Sequence, residues 1–267
     1  AAGATVHLAC RRPDAGAEAA DAIIAETGNA RVHVHKLDVS SMESVKTFAA
    51  EFILSAPKLD ILLNNAGIGA AKDGDLTPEG WERIFGTDFV GPFLLTELLL
   101  PLLRSSAPAR IVNVSSIASE ATSLNSVAPL EVAETPYKTS LGFKRYSQAK
   151  LAQVLHAAEL NARESSAGVT AYSLHPGVIR TNIWDDVGGC LGCFIRSCCL
   201  CCILDKTVEQ GAATQVFCSI HPAAEAGAGK FFDNCVAREH KRVDHIEQHQ
   251  AALYDHTREV VSKWLAE

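Results

Sequence analysis

The stretch LDILLNNAG, Leu59 to Gly67, decides the fold class. Leu59, Ile61, Leu62 and Leu63 form a nearly unbroken apolar run, and Asn64, Asn65 and Gly67 stop it. A short apolar run closed by turn residues reads as a strand buried on both faces of a parallel sheet. The same punctuation recurs on either side. ATVHLAC (Ala4 to Cys10) reads as a strand closed by Arg11-Arg12-Pro13-Asp14, and ARVHVHKLDV (Ala30 to Val39) as another with Asp38 at its end. Ala17 to Glu26 reads as a helix ended by Gly28-Asn29, and Ser41 caps a helix running to about Leu54. Towards the C-terminus, RIVNVSS (Arg110 to Ser116), VTAYSLHPG (Val169 to Gly177) and GKFFDN (Gly229 to Asn234) read as strands. Helices fall between them, one from about Pro78 and one from Tyr146 to about Ala162. An interior proline costs a helix roughly 3 kcal/mol. The first of these helices therefore bends at Pro92, or two helices meet at Gly91-Pro92.

Strands alternating with helices predict an α/β fold, a doubly wound, Rossmann-like parallel sheet with helices on both faces. At 267 residues, with 48% apolar and 21% charged residues, the chain suits a single domain over 1–267. A formal charge of −7 argues against a nucleic-acid partner, because phosphate affinity comes from clustered Lys and Arg. No run reaches the ~20 uncharged apolar residues of a membrane-spanning helix.

Ligands of such sheets bind at the carboxyl ends of the strands. There the sequence places Arg11-Arg12, then Asp38-Val39, then Asn64-Asn65-Ala66-Gly67, then Ser115-Ser116, then His175-Pro176-Gly177 with Thr181 soon after. Any one of these is ordinary strand-to-loop punctuation. Together they gather small and polar residues at one edge of the sheet, as a nucleotide crevice requires. YSQAK, Tyr146 to Lys150, adds a phenol and an ammonium on one helix face. A free phenol titrates near ~10, and an adjacent cation favours the phenolate. Such a phenol acts as a general acid or base, typically worth about 10²–10⁴ in rate.

Taken in order, NNAG (Asn64 to Gly67), NVSS (Asn113 to Ser116), Tyr146-x-x-x-Lys150 and Pro176-Gly177 resemble the short-chain dehydrogenase/reductase family. ACRR, LDVSS, GPFLLTELLLPLL, RIVNVSS, LHPGVIRT and GAGKFF resemble its retinol-dehydrogenase-like branch. The resemblance covers nearly the whole chain. It implies an oxidoreductase that interconverts an alcohol and a carbonyl on a lipophilic substrate, retinol- or retinal-like. Ser116 would polarise the carbonyl, Tyr146 would pass the proton, and Lys150 would assist the phenol and hold the nicotinamide ribose. Asp38 and Val39 would lie at the adenine, and Asn64, Ala66 and Gly67 along the cofactor groove. Pro176, Gly177 and Thr181 would border the nicotinamide. An acidic residue at the first strand end would suit an unmodified ribose and a basic one a 2′-phosphate, so Arg11 and Arg12 favour NADP(H) over NAD(H).

Three departures qualify the resemblance. The family's G-x-x-x-G-x-G loop, with the first βα unit, falls before residue 1. Asp88, in GTDFVG, stands where the family usually has Asn, and its charge would hold Lys150 protonated. Residues 117–145 form an insert over the substrate mouth, which suits the retinol-dehydrogenase-like branch. The rival reading is a catalytically impaired Rossmann scaffold with a binding role. In the family, dimers often form through helices that correspond to Pro78–Leu103 and Tyr146–Ala162, so the resemblance implies a homodimer, with packing on the sheet as the alternative. Several of the ten histidines fall between His240 and His256 and read as solvated helix positions.

Six of nine cysteines lie in CLGCFIRSCCLCC, Cys190 to Cys202, inside a segment 182–208 that the resemblance makes a cap over the substrate. Cys190-x-x-Cys193 has ligand-like spacing, but the adjacent pairs that follow do not make a zinc pattern, so no metal is expected. The resemblance is to intracellular enzymes, whose thiols stay reduced, which argues against a disulfide knot. With Leu191, Phe194, Ile195, Leu200, Ile203 and Leu204 the run at 190–204 reads as an apolar cap lining a lipophilic channel or touching a membrane. The expected location is intracellular, cytoplasmic or peripherally membrane-associated.

Overall fold

The computed structural model describes residues 3–72, 74–122, 142–179 and 206–266. Two parallel strands, β1 (Val6–Cys10) and β2 (Val32–Lys36), form one sheet. Five more form a second sheet in the order β3 (Ile61–Asn64), β4 (Ala109–Val114), β5 (Val169–His175), β6 (Phe231–Asp233) and β7 (Val236–Arg238). β3 to β6 run parallel, and β7 returns antiparallel after the tight turn at Asn234-Cys235. The α/β class holds, and the second sheet ends in one antiparallel strand, β7, that the sequence pattern does not predict.

Side chains alternate across β4 and β5 and so bury against helices on both faces. Ala109, Ile111, Val169 and Ala171 point into a core built with α3 (Gly91–Ser105) and α4 (Gly142–Glu164). Val112, Val114, Tyr172 and Leu174 point the other way, onto Cys218 of α5 (Val208–Ile220) and Phe232. On β3, Leu62 and Asn64 are buried and Leu63 is 42% exposed.

α1 (Pro13–Thr27) covers one face of the β1–β2 pair, where Gly16 sits against Cys10 and Val34. α2 (Met42–Ser55), capped by Ser41, covers the other with Phe48 and Phe52 against His7 and His35. α2 also packs on α3, and this helix contact joins the two sheets. The join is close: a β-carbon on Gly91 would lie 1.8 Å from the Val39 carbonyl oxygen. α6 (Val243–Val260) packs on α4.

The helix expected from Pro78 begins only at Arg83, capped by the buried Glu82 carboxylate, which accepts from the Ile84 and Phe85 N–H groups at 2.9 and 2.7 Å. Arg83–Phe85 passes into a π-helical turn, Gly86–Val90, and α3 starts at Gly91-Pro92. Two helical pieces thus meet at Gly91-Pro92, and Pro92 falls in a first turn, where a missing N–H costs nothing. Although Arg83–Ser105 is long and apolar enough to cross a membrane, 83% of its most apolar window is buried inside the protein.

His156 of α4 lies among Phe89, Phe93 and Tyr254, where burial lowers its pKa to about 3. Its unfolded form takes a proton near pH 6.5 that the buried ring refuses, so it lowers stability as pH falls from 6.5 towards 3. Thermal melts between pH 7 and 4 should show a smaller drop in Tm for His156→Phe than for wild type. Gly91→Ala should destabilise by about 1–3 kcal/mol in urea denaturation, the usual cost of overpacking.

Candidate active site

The carboxyl ends of β3, β4 and β5 lie side by side in register, Asn64 opposite Asn113 and Asn113 opposite Ser173. Asn64 turns inward: its amide donates to Thr96 Oγ1 at 3.1 Å and to Asn113 Oδ1 at 2.9 Å, tying β3 to β4 and α3. Ala66 beyond it is exposed and Gly67 half-buried. Ser115 Oγ donates to the Lys150 carbonyl at 2.6 Å, which docks α4 onto the end of β4.

Docking α4 in this way carries Tyr146 and Lys150 to the sheet edge. Both are buried, and Lys150 Nζ lies 5.5 Å from the centroid of the Tyr146 ring, as the i, i+4 spacing predicts. The ammonium donates to the Val114 carbonyl at 3.2 Å and lies 3.2 Å from Asp88 Oδ2, with both side chains withdrawn from solvent. Asp88 comes from the π-helical turn, and its Oδ1 accepts from the Ile68 N–H at 2.8 Å. Burial pushes the Asp88 carboxyl above its usual range, against the Lys150 charge. Burial pushes Lys150 down, but Asp88 and then Tyr146 outweigh it, and the ammonium is held above its ordinary value. Gly67 makes room for the pair: a β-carbon there would lie 2.9 Å from Asp88 Oδ2 and 3.1 Å from Lys150 Nζ.

Tyr146 packs with Ile84 and Ala118. Ala118 belongs to the 3₁₀ turn Ile117–Ala121, which Ser116 caps: Ser116 Oγ accepts from the Ala118 N–H at 3.2 Å. The phenol and the serine thus flank one turn. The Ile117 N–H donates to His175 Nδ1 at 3.2 Å, so the end of β5 supports that turn too. Pro176 and Gly177 follow, half-buried, and the Pro176 carbonyl accepts from Lys206 Nζ at 3.3 Å. Asp38 Oδ1 accepts from the Ser40 N–H and hydroxyl at 3.0 and 2.6 Å, with Val39 half-buried beside it. Arg11 and Arg12 are exposed at the end of β1. Thr181, the cysteine run 190–202 and most of the segments 117–145 and 182–208 lie outside the described residues.

Gln153 was not anticipated. Its amide donates to the Asp88 carbonyl at 2.6 Å and its Oε1 lies 3.5 Å from Lys150 Nζ, so it braces both members of the ion pair. Its position three residues after Lys150 on the same helix was the available signal.

Residues 1–128 match the family model for short chain dehydrogenases. The human protein retinol dehydrogenase 12 is 38% identical over 240 residues, which span 87% of this chain and 71% of that relative. The bovine protein dehydrogenase/reductase SDR family member 13 is 37% identical over 238 residues, 89% of this chain and 61% of its own. Among solved structures, an uncharacterised protein from Mycobacterium paratuberculosis is 27% identical, with a TM-score of 0.68 over 97% of this chain and 84% of that one. NADPH-bound carbonyl reductase from chicken fatty liver shares the fold at 22% identity, with a TM-score of 0.60 over 88% of this chain and 87% of that one. The chain belongs to the short-chain dehydrogenase family, in its retinol-dehydrogenase-like branch, and is an oxidoreductase of the alcohol dehydrogenase and carbonyl reductase class.

Removing one partner of a buried ion pair strands the other charge, at about 3–5 kcal/mol. Asp88→Ala should therefore destabilise by that order in chemical denaturation. Asp88→Asn, which keeps an acceptor for the Ile68 N–H, should lose less.

Proposed function

We propose that the protein interconverts an alcohol and a carbonyl on a small lipophilic substrate, with NADP(H) as cofactor. The placement of Tyr146 over the buried Lys150 ammonium, one turn of α4 apart, carries this reading. Tyr146 is the proton donor in reduction and acceptor in oxidation, acting on the substrate oxygen. Lys150, kept charged by Asp88, stabilises the phenolate that remains. Ser116, presented by its own turn, donates a hydrogen bond to the same oxygen and so lowers the cost of the charge that develops there.

The residues present fit a nicotinamide dinucleotide. Gly67 packs without a side chain against Asp88 and Lys150, and Asp38 follows β2 while Pro176 and Gly177 follow β5, each beyond the carboxyl end of its strand. Arg11 and Arg12, exposed where the β1 chain turns away, suit a 2′-phosphate. When bound, the cofactor supplies or accepts the hydride. A retinol- or retinal-like substrate is supported by the kinship with retinol dehydrogenase 12.

A second reading, a binding scaffold with weak chemistry, draws on the Asp88–Lys150 pair itself, which neutralises the cation beside the phenol. Stopped assays with NADPH and a panel of long-chain aldehydes and retinal separate the two. The enzyme reading expects turnover that Tyr146→Phe lowers about 10²–10⁴-fold while NADPH fluorescence quenching persists. Quenching without turnover in the wild-type protein would favour the scaffold. Replacing Arg11 and Arg12 together by Ala should weaken NADPH binding about tenfold and leave NADH binding within twofold, the loss shrinking as salt is raised.

A further inference from the structure

His240 stands just before α6, and its burial corrects the reading of the C-terminal histidines as solvated positions: only 4% of it is exposed. Its ring meets Phe231 edge-on at 5.0 Å between centroids. Nδ1 accepts from the Arg242 N–H at 3.1 Å, which leaves Nε2 to carry the hydrogen in the neutral ring. Nε2 lies 2.9 Å from Ser119 Oγ. The Ser119 hydroxyl, fully buried, donates to the Ser116 carbonyl at 2.5 Å, so its oxygen is free to accept from His240. The bonds run in one direction, from the Arg242 N–H through the imidazole and the Ser119 hydroxyl to the backbone of Ser116.

A second grip lies beside the first. Glu120 Oε1 accepts from Arg238 Nη1 at 2.6 Å and from the Lys241 N–H at 3.2 Å, and the Glu120 carbonyl accepts from Arg242 Nε at 3.2 Å. Lys241 Nζ lies 3.5 Å from Glu120 Oε2. Residues 238–242 therefore clasp residues 119–120 across the sheet, some 120 positions away in the chain.

We propose that His240 is a positioning residue for Ser116: through Ser119 it sets the turn from which Ser116 offers its hydroxyl to the substrate oxygen. This rests on the role given to Ser116 above. The Glu120 ion pairs already bind the two segments together. The imidazole bond adds direction, because it orients the Ser119 hydroxyl, which in turn donates to the carbonyl of Ser116. Two neutral histidines then hold the turn from opposite sides, His240 at Ser119 and His175 at Ile117. Burial, together with Arg238, Arg242 and Lys241 and against Glu120, lowers the His240 pKa to about 4, so the ring keeps this donor pattern throughout the neutral range.

The test compares His240→Asn with His240→Gln. The Asn carbonyl takes the place of Nδ1 and keeps the acceptor for the Arg242 N–H, but the side chain is too short to reach Ser119. The Gln amide reaches the place of Nε2 and restores a donor to Ser119. With NADPH and an aldehyde the wild type reduces, His240→Asn should lower kcat about tenfold, the scale of one hydrogen bond, with both KM values within twofold. His240→Gln should recover most of the loss. Ser119→Ala, which removes one oxygen, should match His240→Asn and replaces it if that variant does not fold. Amide exchange of residues 116–120 should quicken about tenfold in the Asn variant and not in the Gln variant. An unchanged kcat, a loss that Gln does not restore, or unchanged exchange overturns the proposal. A wild-type protein without turnover overturns the role given to Ser116, and the exchange result then still decides whether His240 sets this turn.

Discussion

The ion pair between Asp88 and Lys150 is the constraint on which the site is built. Two charges withdrawn from water repel burial strongly, and their attraction offsets the penalty only when the remaining donors and acceptors are met. Around Lys150 they are: the Val114 carbonyl ends β4, and Gln153 stands on the ammonium's own helix. Around Asp88 they are met on one side only. Oδ1 takes the Ile68 N–H, while Oδ2 faces only the Lys150 ammonium, at 3.2 Å, among the described residues. This arrangement dictates several residues at once. Gly67 must lack a side chain, the chain at Asp88 must widen into a π-helical turn, and α4 must enter the sheet edge at the register that Ser115 sets.

The second constraint concerns the sheet. β1 and β2 exchange no backbone ladder with β3 to β7, so the two pieces are joined through helices. Sequence-local contacts build each piece, and the long-range join rests on α2 against α3 and on the approach of Gly91 to Val39. The same approach sets Val39, beyond the end of β2, against the start of α3, whose Thr96 takes the Asn64 amide. A helix contact of this kind transmits position without strand register, which is why Gly91 tolerates so little. Leu63 shows the other side of the arrangement: it is apolar yet open, on the edge strand β3.

Much of this was legible in the chain because strand ends and helix caps are local signals. Asn64-Asn65-Ala66-Gly67, Ser115-Ser116 and His175-Pro176-Gly177 do fall at adjacent carboxyl ends, and Ser41 does cap α2. Tyr146 and Lys150 needed only the period of a helix. What escaped depended on contacts that residue type and period do not announce. β7 is three residues long and exists because β6 turns back on it. The start of the helix at Arg83 rather than Pro78 depends on the buried Glu82 carboxylate as a cap. His240 looked like one of a polar, histidine-rich run, and nothing local announces that Ser119 and Phe231 enclose it.

The two halves of the site are therefore held by different physics. Lys150 and Asp88 are fixed by charge in a dry interior, where Asp88 holds the ammonium above its ordinary value while burial raises the carboxyl against it. The Ser116 turn is fixed by the Glu120 ion pairs and by two imidazoles, His175 accepting from the Ile117 N–H and His240 donating to Ser119 while accepting from the Arg242 N–H. Burial lowers both imidazoles below their ordinary value, and that makes neutral acceptors dependable there. Acid would loosen both halves, each through a different group. It removes the acceptors on the serine side by protonation, and it weakens the lysine side only when Asp88 itself takes a proton. In the proposed reaction a carbonyl oxygen between Tyr146 and Ser116 would meet a proton source set beside one buried ion pair and a donor whose turn is held by two imidazoles and by the ion pairs of Glu120.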